Sequence, residues 1–256
     1  MAPLLELLDV SVRFGGNVAV DRVSFSVEAG TVTGLIGPNG AGKTTTFNVI
    51  TGLEDPASGV VRFDGRDITG LKPHRRSRLG IARTFQRLEV FGSLTARENI
   101  KVGAEIRQQW ARHRNTDLEK EVDGLLELVG GQSMADVRAD SLPTGQARLV
   151  ELARALAIRP RLLLLDEPAS GLDERETEEF GELLLWLASQ GIGVLMVEHD
   201  VPLVMRLCSS VHVLDFGSVL ASGTPAEIQR NDAVLDAYLG AMVEAGFPTD
   251  GEGGGS

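Results

Sequence analysis

Only one cysteine, Cys208, occurs in the 256 residues, so no intramolecular disulfide can form. Its apolar surroundings, with Leu203, Val204, Met205 and Leu207 just before it, predict a buried helix residue rather than a reactive thiol, and the cytosol is the natural compartment. Long hydrophobic runs are missing too. The richest, residues 162–165 and 183–188, fall far short of the roughly 20 residues that a spanning helix needs. Any membrane role is therefore expected to come through a partner. Glu6 and Asp9 interrupt the opening segment too early for a signal peptide, and no export is expected. Positive charge is also in deficit: 25 Lys and Arg stand against 36 Asp and Glu, a formal net charge of -11. Such a surface repels nucleic acid and anionic lipid headgroups, although a local basic pocket is compatible with it.

What is present is enough to fold. A hydrophobic content of 43% in a chain of this length can bury a substantial core, as one large domain or two interlocked lobes. Residues 4–36 carry short β-like stretches, such as Val23, Phe25 and Val27 alternating with polar neighbours, with Gly15-Gly16 as a turn signal. Residues 32–36 read as a buried strand that runs through a glycine-rich turn into a helix over 43–52, ending at Gly52. Residues 60–68 add a hairpin around Asp64-Gly65. From 72 to 160 the pattern becomes helical, with amphipathic stretches at 95–107, 118–129 and 145–157, and reads as an inserted helical lobe. Strands at 162–165 and 193–197 flank a helix at 174–189, a βαβ unit. Two short strands, 210–216 and 218–222, meet near Gly217 and precede a helical end over 225–244. The expectation is an α/β fold forming one domain over 1–244, with 72–160 as a helical subdomain and a flexible glycine-rich tail at 245–256.

Two segments carry the chemistry. Gly37-Pro38-Asn39-Gly40-Ala41-Gly42-Lys43-Thr44 fits the phosphate-loop pattern, in which glycines let successive backbone N–H groups face phosphate oxygens. Lys43 would reach the β- and γ-phosphates, and the Thr44 hydroxyl would ligate Mg²⁺; Thr45 completes the candidate ATP-binding stretch. Further on, Leu162-Leu163-Leu164-Leu165-Asp166-Glu167 delivers two adjacent carboxylates at the end of a buried strand. Asp166 would hold Mg²⁺, and Glu167 would orient or deprotonate the attacking water. Taken alone, the pair reads as a solvated strand end. Downstream of a phosphate loop it reads as catalytic.

At this point the set resembles the ABC ATPase family. Leu142-Pro143-Thr144-Gly145-Gln146 occupies the place of that family's signature; Arg83-Thr84-Phe85-Gln86 looks like its Q-loop, Ser170-Gly171-Leu172-Asp173 like its D-loop, and Glu198-His199-Asp200 like its switch-histidine segment. The resemblance, covering about residues 4–240, implies a P-loop NTPase core of the ABC ATPase type, with an antiparallel β subdomain and an inserted helical subdomain. It further implies catalytic roles for Gln86 and His199, Gln86 as a second Mg²⁺ contact, and Phe14 as the aromatic that stacks on adenine, with a core phenylalanine as the other reading. Thr144, Gly145 and Gln146, with Asp173 nearby, would then serve ATP held by a second ATPase subunit, identical or homologous, in a head-to-tail dimer. Pro143 departs from the serine usual in the signature and Thr144 from its first glycine. Proline is tolerated at a helix start, and Thr144 is the candidate replacement hydroxyl.

Within the family, residues 82–86, 197–200 and the ending Ala237-Tyr238-Leu239-Gly240 look most like the ATPases of branched-chain amino acid importers. That resemblance implies transmembrane permease subunits, an extracytoplasmic solute-binding protein, a peripheral place on the cytoplasmic membrane face, and no nucleic-acid partner. Leu88, Val90, Phe91 and Leu94 would border the permease docking groove, against ordinary core packing as the alternative. The competing functions are the ATPase of an exporter or lipid-extraction system and, in a different class, a non-transport ABC protein.

Overall fold

The computed structural model describes residues 2–110 and 117–237. Its first layer grows from period-two alternation. In β1 (Leu5–Phe14) and β2 (Asn17–Val27), Leu5, Leu7, Val10, Val20, Val23, Phe25 and Val27 are buried, while Asp9, Arg22 and Ser24 face outward. The two strands pair antiparallel across Gly15-Gly16. β3 (Val32–Ile36) belongs to a second sheet and leads into α1 (Lys43–Thr51). β4 (Ser58–Phe63) returns to β1, and β5 (Arg66–Asp67) follows through Asp64-Gly65, whose φ values of 54° and 71° suit a two-residue hairpin turn. The first sheet has the order β2-β1-β4-β5.

The chain continues through α2 (Pro73–Arg78), β6 (Ile81–Arg83), α3 (Ala96–Trp110), α4 (Leu118–Leu128), α5 (Thr144–Leu156), β7 (Leu162–Asp166), α6 (Glu174–Ser189), β8 (Gly193–Val197), α7 (Val201–Leu207), β9 (Ser210–Asp215), β10 (Ser218–Gly223) and α8 (Pro225–Ile228). The second sheet has the order β10-β9-β3-β8-β7-β6 and is parallel except for β10. β3, β7 and β8 are buried at every position, which is why their sequences are apolar runs without alternation. One apolar core lies between the two sheets around Phe47 of α1. Another lies beneath α6 and α7, and a third joins α3, α4 and α5.

Three sequence expectations need correction. The region expected to be helical from residue 72 contains β6, a strand of the main sheet paired in parallel with Leu162–Leu164. Three residues are too few to show a period, and their partners lie far downstream. The helical end does not run unbroken from 225: α8 stops at Ile228, and a helix resumes at 232, where the Asn231 side chain accepts from the Val234 amide as a cap. Residues 238–244 and the tail at 245–256 lie outside the described residues, as does most of the 237–240 ending. Cys208 is buried as expected, but it closes α7 rather than lying within it. Burial pushes its thiol pKa up to about 12, so it remains a protonated, unreactive packing group.

The helix that follows the phosphate loop is anchored at its far end by Arg76. This side chain is fully buried and donates to the carbonyls of Val49, Ile50, Leu71 and Thr69 at 2.5–2.9 Å. A cation at the C-terminus of α1 also complements the helix dipole. Arg76→Met, which keeps the volume but removes every donor, is expected to lower stability by on the order of 3 kcal/mol. Urea unfolding would show this as a lower midpoint at unchanged slope; an unchanged midpoint would contradict the anchor.

Candidate functional site

The C-terminal ends of β3, β7 and β8 open on one side of the sheet, where parallel α/β proteins place ligands. From β3 the chain turns through Gly37 to Gly42. A Cβ on Gly37, at φ 153°, would lie 2.1 Å from the Leu214 carbonyl oxygen, so only glycine lets the loop pass β9. Gly42, at φ 99°, caps α1. Lys43 Nζ closes the loop on itself, donating to the Gly37 and Pro38 carbonyls at 2.6 and 2.9 Å. Burial pulls the Lys43 pKa below its ordinary value, and the nearby carboxylates of Glu167 and Asp166 offset part of that shift. An anion entering the loop would meet a desolvated cation and the N-terminus of α1 together.

The wall facing this loop comes from three other segments. Glu167, just after β7, sits at φ 48°, a left-handed conformation uncommon for a non-glycine residue. Its Oε2 accepts from Gln86 Nε2 at 2.9 Å, and its Oε1 lies 2.8 Å from His199 Nε2. One carboxylate is thereby held between two polar side chains from separate segments. Asn39 to Thr45, Gln86, Glu167 and His199 line a common cavity of about 400 Å³. Asp166, the residue before Glu167, is buried and is not part of that lining.

Gln86 is held from behind by α5. Arg148 donates to the Phe85 and Gln86 carbonyls at 2.9 and 2.7 Å, while Glu151 Oε1 accepts from the Phe85 and Glu89 amides at 3.5 and 3.3 Å. The two side chains pair with each other at 3.1 Å, almost fully buried. Burial raises the Glu151 pKa against the opposing pull of the Glu89 and Phe85 amides and of Arg148. Glu198 does similar work at the next segment, accepting from the Ala169 and His199 amides.

Not every expected residue reaches the cavity. Phe14 ends β1 half-exposed and is absent from the lining, where Asn17, Val18, Ala19 and Phe216 are found. Gly37 and Pro38 shape the loop from behind and take the Lys43 bonds. Thr144, Gly145, Gln146 and Asp173 are also absent from this lining. They gather at a different place. Pro143 is the N-cap of α5 with extended backbone, so the helix does begin beside it, and Thr144 and Gln146 are exposed. A Cβ on Gly145 would lie 2.4 Å from Glu176 Oε1, and that carboxylate is fixed by a capping box with Asp173. The start of α5 and the start of α6 therefore abut.

Sequence reasoning missed Arg83, Asn48, Arg148, Glu151, Glu198 and Phe216. The i,i+3 spacing of Arg148 and Glu151 was a readable signal for an ion pair on α5, and the Asp-Phe-Gly turn at 215–217 was one for an exposed aromatic. A second concavity, about 580 Å³, lies on the helical side and is lined by Leu88, Val90, Phe91, Ile106, Arg154 and Ile158 among others. Leu88, Val90 and Phe91 of the expected docking set are there, and Leu94 is not. Arg154 lies over the Phe91 ring, 5.1 Å from its centroid. Among the described residues no helix is long and apolar enough to cross a membrane.

Comparison with known proteins agrees with this geometry. Residues 20–170 match the family described as ABC transporter, and residues 218–244 match the one described as branched-chain amino acid ATP-binding cassette transporter. Over 256 residues the chain is 41% identical to the high-affinity branched-chain amino acid transport ATP-binding protein BraF of Pseudomonas aeruginosa, covering 93% of this chain and 98% of that one. It is 38% identical over 244 residues to the lipopolysaccharide export system ATP-binding protein LptB of Acidithiobacillus ferridurans, covering 95% and 100%. The ADP conformation of an ATP-binding cassette of an ABC transporter superposes with TM-score 0.84 at 31% identity, covering 94% and 100%. A dimeric post-hydrolysis cassette bound to ADP and Pi superposes with TM-score 0.76 at 25% identity, covering 86% and 98%.

Proposed function

This chain belongs to the ABC transporter family as an ATP-hydrolysing subunit, and from that premise we propose that it energises import of branched-chain amino acids or related solutes through permease subunits on other chains. The observation that carries this reading is the convergence of Lys43, Gln86, Glu167 and His199 on one cavity at the end of the parallel sheet. The likeness to BraF and the match over 218–244 favour the solute class.

Lys43 turns from the loop carbonyls to the β- and γ-phosphates. Its ammonium there exchanges two neutral carbonyl acceptors for negatively charged ones. The donor set suits Mg²⁺: the Thr44 hydroxyl, the Gln86 amide oxygen and the Asp166 carboxylate are hard oxygen ligands, as that ion prefers. When bound, Mg²⁺ supplies positive charge that neutralises the phosphate oxygens. Glu167 positions a water in line with the γ-phosphate and takes up its proton, and His199 holds the carboxylate in place. The adenine takes the side of the cavity near Asn17 and Phe216, with Phe14 as the aromatic offered to stack on it.

Two such subunits, identical or homologous, pair head to tail; the likeness to a dimeric cassette supports the pairing itself. Each then presents Thr144, Gly145 and Gln146, with Asp173 beside them, to ATP on the other. The 580 Å³ groove receives the permease, and the complex sits at the cytoplasmic face of the membrane with a solute-binding protein outside. Through Arg148 and Glu151, movement of α5 carries Gln86 with it. A second reading, lipid extraction, is favoured by the likeness to LptB.

Purification of the complex from native membranes tests the proposal. Amino-acid permease chains should co-purify with the wild-type subunit, and Phe91→Glu should lose them at least tenfold while still binding ATP. Lipid-extraction chains in their place would favour the second reading, and full assembly of Phe91→Glu would remove the groove as the docking site.

A further inference from the structure

Arg83 is the last residue of β6, three positions before Gln86, and only 6% of its side chain is exposed. Its Nη2 donates to Asp166 Oδ2 at 2.9 Å, and its Nη1 donates to Asn48 Oδ1 at 2.7 Å. Asn48 lies on α1, one turn beyond Thr44. The guanidinium carbon lies 5.4 Å from the centroid of the Phe47 ring and 4.7 Å from that of Phe85. A flat cation with a fixed fork, placed between aromatic rings, can hold two oxygen acceptors at a defined separation. Here those acceptors belong to the helix that carries Thr44 and to the strand that carries Asp166. The Arg83 side chain thus ties together the two elements whose oxygens would hold Mg²⁺.

We propose that Arg83 is a positioning residue for the Mg²⁺ site: it holds Asp166 by Oδ2, which fixes the rotation of that carboxylate, and through Asn48 it ties Asp166 to the helix that carries Thr44. This rests on the ATPase reading above. Without the guanidinium, a buried carboxylate loses its only ion-pair partner recorded among the described residues and is free to rotate away from the site. Residues that orient a metal ligand from behind typically contribute about 10–100-fold in metal affinity.

The test uses the whole chain and a fluorescent ATP analogue, titrated once in EDTA and once against increasing Mg²⁺, with Mn²⁺ binding followed by electron paramagnetic resonance. Arg83→Met should raise the half-saturating Mg²⁺ concentration by about 10–100-fold and leave nucleotide affinity in EDTA within about threefold. Arg83→Lys, which cannot bridge both acceptors, should fall between wild type and Arg83→Met. If Arg83→Met fails to fold, Asn48→Ala and Arg83→Lys carry the test, and each should shift the Mg²⁺ requirement and the Mn²⁺ spectrum without changing binding in EDTA. An unchanged Mg²⁺ requirement, or equal losses with and without the ion, overturns the proposal. If the wild-type chain binds no nucleotide at all, the ATPase reading itself fails, which is a distinguishable result.

Discussion

Replacing Glu167 by glutamine is expected to slow ATP turnover by about 10²–10⁴-fold while leaving ATP bound. Glutamine matches the shape of the residue it replaces. Its amide oxygen can still accept from Gln86 Nε2, and its amide nitrogen can still donate to a neutral His199, so the cage around position 167 survives. What disappears is the acceptor for the proton of the attacking water. Phosphate release from the purified subunit, measured beside binding of a fluorescent ATP analogue, separates the two effects. Loss of both together would mean that Glu167 holds the site in shape rather than handling the water.

The second large effect is expected at Lys43. Lys43→Met keeps the length of the side chain but removes the charge and the bonds to the Gly37 and Pro38 carbonyls. Two charge-assisted hydrogen bonds to phosphate, at about 1.5–3 kcal/mol each, put the loss of ATP affinity at about 100-fold or more. The pH dependence has a definite sign. Burial lowers the pKa of Lys43 in the free protein, whereas bound phosphates favour the charged ammonium. As pH rises through the lowered pKa, the free protein gives up a proton that binding must restore. Affinity should therefore fall on the alkaline side, starting below the ordinary lysine range, with proton uptake on binding. Lys43→Met should show no such decline, and equal slopes for the two proteins would contradict the assignment.

How far the site could be read in advance depended on how local each part is. The phosphate loop is a contiguous stretch whose glycines and lysine have one compatible geometry, and residues 37–45 were legible as a unit. The carboxylate pair was legible because a buried strand must end somewhere, and 162–165 ends at Asp166. Arg83, in contrast, looks in the sequence like one of several arginines between residues 75 and 87. Its meaning comes from the pairing of β6 with β7, which brings it beside Asp166 across a long sequence separation. Arg148 and Glu151 are the same kind of case, because an ion pair on a helix is ordinary until its other contacts prove to be the backbone of residues 85–89. The break after Ile228 was missed because a single cap, Asn231, overrides an otherwise helical composition. Phe14 lies at the position expected from the resemblance, half-exposed and outside the lining, which includes Asn17, Val18, Ala19 and Phe216 from segments that carry no motif.

Hydrolysis at Glu167 is expected to drive solute movement through a docked permease. Its most direct test is uptake of labelled leucine into vesicles holding the complete transporter, with phosphate release followed in the same sample. With the wild-type subunit, accumulation should require ATP and rise with phosphate release; with Glu167→Gln, both should stop although ATP remains bound. Undiminished accumulation with the glutamine subunit, or steady hydrolysis with no branched-chain amino acid accumulating, would mean that hydrolysis at Glu167 does not drive this uptake.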